Sequence, residues 1–82
     1  MSNFRPLNRE QYQARAKQYP IGTRVELIEM DDPFNKSLHE GSLGTITGVD
    51  SFGDLEVNWD CGSTLKLIYG VDRFKVIGVT NT

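Results

Sequence analysis

The apolar residues of this chain change period at Pro20, and that change limits the folds open to it. From Ile21 onward they alternate with polar residues in short runs, each broken by glycine, aspartate or proline. Period two marks a half-buried strand, because successive side chains of an extended chain point to opposite faces. With 82 residues there is room for one domain, and a chain of this size buries only about 60% of its unfolded surface.

Arg24-Val25-Glu26-Leu27 alternates cleanly, and Ile28-Glu29-Met30 continues with one slip, which predicts a bulge or bend. A long loop then runs from Asp31-Asp32-Pro33 to Gly41. Gly44 to Val49 reads as a second strand, with glycines where a sheet bends. Asp50 to Asp54 is a turn, and Leu55 to Asp60 is the clearest strand. Its Leu55, Val57 and Trp59 share one face, which predicts a core position for Trp59. The alternative for this tryptophan is an aromatic anchor for a peptide or a base. Cys61-Gly62 predicts a tight hairpin, Ser63 to Leu67 a fourth strand, Ile68 to Arg73 a turn, and Phe74 to Ile77 a fifth strand.

Five short strands left as an open sheet expose an apolar face and two edges, and closure removes both. The expected fold is therefore mainly β, a five-stranded SH3-like small barrel over residues 20–77. A flexible arm and an N-terminal α-helix precede it in residues 1–19, and a disordered tail follows in residues 78–82.

The helix is predicted over Arg9 to Gln18. Asn8 is a suitable N-cap, and Gln11 three residues on completes a variant of the capping box. Leu7 and Tyr12 hold the positions of a hydrophobic staple. Tyr12, Ala16 and Tyr19 make a narrow apolar stripe, and Pro20 ends the helix by forcing its predecessor out of helical geometry. So short a helix is marginal alone and needs a surface to dock on.

The net charge is −2, but the charges are segregated. Arg5, Arg9, Arg15, Lys17 and Arg24 face Glu10 alone before residue 25, whereas the carboxylates from Glu26 to Asp60 face Lys36 alone. An acidic middle disfavours a long phosphate track and suits a basic partner surface. A single cysteine, Cys61, and a single histidine, His39, give neither a disulfide framework nor a zinc site, and no motif sets an acid and a base around a substrate pocket. The chain is accordingly expected to be no enzyme and to use no cofactor or metal. Lacking a signal-like or membrane-spanning run, it is expected in the cytoplasm, as a monomer or weak homodimer.

The string Pro20-Ile21-Gly22-Thr23-Arg24-Val25-Glu26-Leu27, Met30-Asp31-Asp32-Pro33, Gly41 with Gly44-Thr45, Val57-Asn58-Trp59-Asp60, Gly62-Ser63 and Gly70-Val71-Asp72-Arg73-Phe74 resembles a family of short bacterial and phage proteins catalogued as a domain of unknown function. The resemblance covers about residues 20–77 and the helix less well. It implies bacterial or phage origin, often with mobile elements, and supplies no activity. Cys61 departs from the pattern, where asparagine is more usual before the glycine. A looser likeness through Val-x-Trp-Asp-x-Gly is to SH3-like interaction domains of ubiquitin ligases, an analogy of fold only.

The favoured function is a non-catalytic protein–protein interaction module for a basic or proline-containing segment. Its candidate binding residues are Asp31, Asp32, Phe34, Asp50, Phe52, Asp60, Tyr69, Asp72 and Arg73, acidic and aromatic residues of loops expected to cluster. The plainer reading is that the aspartates serve their own turns and the aromatics fold back as lids. The alternative function is a nucleic-acid-associated accessory domain using Arg5, Arg9, Arg15 and Lys17. Those residues otherwise form a solvated helix face.

Overall fold

Leu55, Val57 and Trp59 are all buried, and the remaining core assembles around them from Val25, Leu27, Leu38, Ile46, Val49 and Leu67. The computed structural model describes residues 5–30 and 37–79. Its elements are α1 (Arg9–Gln18), β1 (Thr23–Glu29), β2 (Leu43–Val49), β3 (Leu55–Trp59) and β4 (Arg73–Val79). The strands form one antiparallel sheet in the order β3-β2-β1-β4. Thr23, Val25 and Leu27 of β1 are buried alternately, as period two requires.

The predicted slip in the first strand is a bulge: Leu27 pairs with Phe74 and Glu29 with Arg73, which inserts Ile28. Two further bulges insert Ile77 in β4 and Thr47 in β2, the latter beside Gly48 where a bend was expected. Each increases the local twist and coils the sheet around its core.

The closed five-stranded barrel expected from the sequence does not form. Ser63–Leu67 makes no fourth ladder: it meets β3 at one bridge, where Leu55 and Leu67 exchange backbone hydrogen bonds of 3.0 and 2.9 Å, and at one further bond, from the Trp59 N–H to the Ser63 carbonyl at 3.0 Å. Its other polar groups go elsewhere. The Trp59 indole N–H donates to the Leu65 carbonyl at 2.8 Å, and the Leu65 N–H donates to Ser63 Oγ at 3.3 Å. The Leu65 N–H and C=O are thereby engaged away from the β3 backbone, so the pairing does not run on from Leu67 to Ser63 as a ladder. The sheet is open, with β4 at one edge.

A second correction concerns the C-terminal end. Gly78 and Val79 belong to β4 and pair with Arg24 and Thr23, so the expected disordered tail does not begin at residue 78. Residues 80–82 lie outside the described residues, as do Asp31, Asp32 and Phe34.

Helix α1 has the predicted bounds and cap. Asn8 Oδ1 accepts from the Gln11 N–H at 2.8 Å, and Gln11 Oε1 accepts from the Asn8 N–H at 3.0 Å. No residue of α1 is fully buried, so directed contacts seat it. The Leu7 N–H donates to the Ser51 carbonyl at 2.7 Å, the Tyr12 hydroxyl donates to the Val49 carbonyl at 3.1 Å, and Ala16 and Tyr19 pack on the core. The helix thus rests against the turn between β2 and β3. The expected flexible arm is fixed at Leu7, and residues 1–4 lie outside the described residues.

Candidate functional site

Two turns meet beside α1, and carboxylates build both of them. In the first, Asp50 Oδ1 accepts from the backbone N–H groups of Phe52 and Asp54 at 2.9 and 3.0 Å. This is the local bonding that favours aspartate at turn starts. Gly53 stands at φ +89°, a left-handed conformation that glycine adopts without strain. In the second, Asp72 is buried and its Oδ2 accepts from the Ile68 N–H at 2.8 Å. The Asp54 carboxylate joins the turns by accepting from the Tyr69 N–H at 3.1 Å. The result is a loop end that exposes Phe52, Ile68, Tyr69 and Val71 over a carboxylate framework.

Arg15 of α1 reaches onto this loop end. Its Nη1 donates to the Gly53 carbonyl at 2.7 Å, and its guanidinium carbon lies 3.4 Å from the Tyr69 ring centroid. A planar cation over an aromatic face is attractive, and a hydrogen bond from a charged donor is stronger than a neutral one. Tyr19 packs edge-on to Tyr69 at 6.2 Å and lies 5.6 Å from Phe74. Beside them opens a groove of about 310 Å³ lined by Tyr19, Ile28, Asp72, Arg73, Phe74 and Val76.

Of the residues predicted to bind, Asp50, Phe52, Tyr69, Asp72 and Arg73 lie in or next to these two turns. Asp60 does not join them, because it follows the far end of β3. There it forms a two-pronged salt bridge with Arg24, at 2.8 and 2.7 Å. Arg15, assigned to nucleic acid in the alternative reading, is engaged inside the molecule, whereas Arg5, Arg9 and Lys17 are exposed.

The family model described as Domain of unknown function (DUF4314) matches residues 8–77. The chain belongs to this family. The DUF4314 match takes in α1 as well as the sheet, so the helix that the sequence resemblance covered poorly is part of the shared domain. Neither the curated proteins nor the solved structures give a match. No helix among the described residues is long and apolar enough to cross a membrane. No group of three or more His, Cys, Asp or Glu among them is arranged to hold a metal ion. His39 and Cys61 sit in separate exposed loops, with His39 Nδ1 2.9 Å from the Glu40 carbonyl.

The electrostatics of this DUF4314 domain follow the ion pairs. Burial pushes the Asp50 carboxyl up, but Lys66 at 3.0 Å and the two turn N–H groups outweigh it, and the group titrates below its ordinary range. Arg24 does the same to Asp60 through its hydrogen bonds. Lys66 is raised, chiefly by its bond to Asp50. Burial, then the neighbouring Tyr69, raises Tyr19. A carboxylate whose pKa is depressed by folding contributes stability above its unfolded value of about 3.9 and loses it as pH falls through the folded value. Stability is therefore expected to be level through neutral pH and to fall below about pH 4. Asp50→Asn should flatten that acid limb and lower stability at pH 7 by about 1–2 kcal/mol, through its weakened turn bonds. Urea melts at several pH values measure both effects.

Sequence reasoning missed Ile68, Val71 and the part played by Arg15. The spacing of Asp50 and Asp54 around Gly53 was a legible turn signal, but nothing local indicated that Asp54 would bond the backbone of Tyr69, fifteen residues on.

Proposed function

We propose that this domain is a non-catalytic protein–protein interaction module whose docking face is the paired turns 50–54 and 68–72. The observation that carries the reading is Arg15, whose guanidinium lies over Tyr69 and bonds Gly53. A surface that holds a cation within its own chain has the chemistry to hold one from another. Around it, Phe52, Ile68, Tyr69 and Val71 offer apolar contact, and the Asp54 carboxylate supplies negative charge, whereas that of Asp50 is paired with Lys66. Exposed aromatics on turns that the scaffold pins in place are good anchors, since little entropy is lost on binding. The partner class is a segment that combines lysine or arginine with apolar residues. The nucleic-acid reading is weaker, because the engagement of Arg15 leaves a shorter basic surface, interrupted by Glu10.

Selection from a displayed random-peptide library tests the proposal. Enriched peptides should carry basic and apolar residues together. Phe52→Ala should weaken them at least about tenfold, in line with an anchor worth at least about 1.4 kcal/mol, while leaving the melting temperature within a few degrees. An unenriched library, or binders indifferent to Phe52→Ala, would reject this face.

A further inference from the structure

The edge strand β4 is apolar and half exposed. Val76, Ile77 and Val79 are 51%, 46% and 62% accessible, and Ile21, two residues ahead of the Thr23–Val79 pair, is 75% accessible. Proteins commonly guard such an edge with outward lysines. Here Lys75 Nζ lies 3.7 Å from Glu26 and Arg73 Nη1 lies 3.7 Å from Glu29, so both cations lean back onto β1. At the opposite side of the sheet the chain serves its own edge, through the Leu55–Leu67 pair and the Trp59 N–H to Ser63 carbonyl bond. Strand β4 lacks such cover among the described residues.

We propose that two copies of the chain pair antiparallel through β4, centred on Val76, and join their sheets into one. The direction of the backbone groups supports this centre. The N–H and C=O of Leu27 bond Ser42 and Gly41 on the β2 side of β1. In an antiparallel ladder these directions alternate, so Glu26 turns toward β4, Lys75 turns back toward it, and Phe74 and Val76 direct theirs outward. Centred on Val76, the register sets Lys75 against Ile77, Phe74 against Gly78 and Arg73 against Val79, with no like charges opposed. Centred on Lys75 it would set lysine against lysine, which is unfavourable. Pairing through the same edge, β4, on both copies is isologous and gives a closed two-fold dimer rather than a filament. Its affinity is modest. The ladder is seven residues long and interrupted by the Ile77 bulge, so the expected dissociation constant is micromolar.

Sedimentation equilibrium of the full chain with reductant, from about 1 to about 500 µM, reads the association directly across that range. A reversible monomer–dimer equilibrium is the expected result. Val76→Lys should weaken it at least about tenfold, with an unchanged circular-dichroism spectrum, and Thr47→Lys, distant in the sheet order, should leave it intact. Amide exchange needs no variant: the N–H groups of Phe74 and Val76 should gain protection as concentration rises. A chain that stays monomeric throughout, a dimer untouched by Val76→Lys in a folded protein, or concentration-independent exchange at these two amides would each overturn the proposal. A monomer would leave the peptide-docking face unaffected, so the two readings fail separately.

Discussion

Trp59→Ala is expected to leave much of the domain unfolded at room temperature. The side chain is 2% exposed, belongs to the core cluster from strand β3 and donates its indole N–H to the Leu65 carbonyl. Truncating a buried tryptophan removes its transfer energy and leaves a cavity, about 3–5 kcal/mol together. Domains have only about 0.05–0.15 kcal/mol of stability per residue, so the loss is a large share of the total here. For a chain of this size the midpoint should fall by roughly 12–40 °C. Far-ultraviolet circular dichroism follows the melt without relying on the tryptophan itself. Trp59→Phe separates the two contributions, since it keeps most of the volume but strands the Leu65 carbonyl. It should cost about 1–3 kcal/mol. A loss below about 1 kcal/mol for Trp59→Ala would remove Trp59 from the centre of the core.

Gly44→Ala is expected to be nearly as damaging, although it adds one methyl group. A Cβ built there would lie 2.7 Å from Val57 Cγ1 and 2.8 Å from Trp59 Cε3. Both neighbours are buried core side chains on the adjacent strand, and neither has room to retreat. Overpacking of this kind costs about 1–3 kcal/mol or more, and two simultaneous clashes place this case at the upper end. Gly78→Ala is the contrast, because a Cβ there meets nothing within 4 Å. That change should be neutral or stabilise by up to about 1 kcal/mol, by restricting the unfolded chain. If the clash with Val57 is the cause, Val57→Ala should relieve part of the Gly44→Ala defect, with a coupling of at least about 0.5 kcal/mol in a double-mutant cycle. Strict additivity would mean that the cost arises elsewhere.

The docking face shows how far the sequence carries. Phe52 and Tyr69 were recognisable as loop aromatics, because the turn formers around them are local. Their proximity rests on one bond, from the Tyr69 N–H to the Asp54 carboxylate. The acidic rim read from composition divides in space: Asp50, Asp54 and Asp72 build the two turns, while Asp60 pairs with Arg24 beyond the other end of β3. Charge counting cannot make that division, since it depends on which strand ends meet.

The sequence by itself determined what is local. The bounds and cap of α1, the bulge at Ile28, the Leu55-Val57-Trp59 face and the turn at Gly62 all depend on dihedral preferences and hydrogen bonds within a few residues. Only the tertiary structure decided whether the strands close. Ser63–Leu67 has a strand's alternation, but its hydrogen bonds go where Trp59 and its own serine direct them, and β4 is left at an edge. It also decided that Arg15 binds its own loop end. Period two tells each side chain which face to take. It does not say which backbone N–H will find which carbonyl, because that choice is made by residues far apart in the chain.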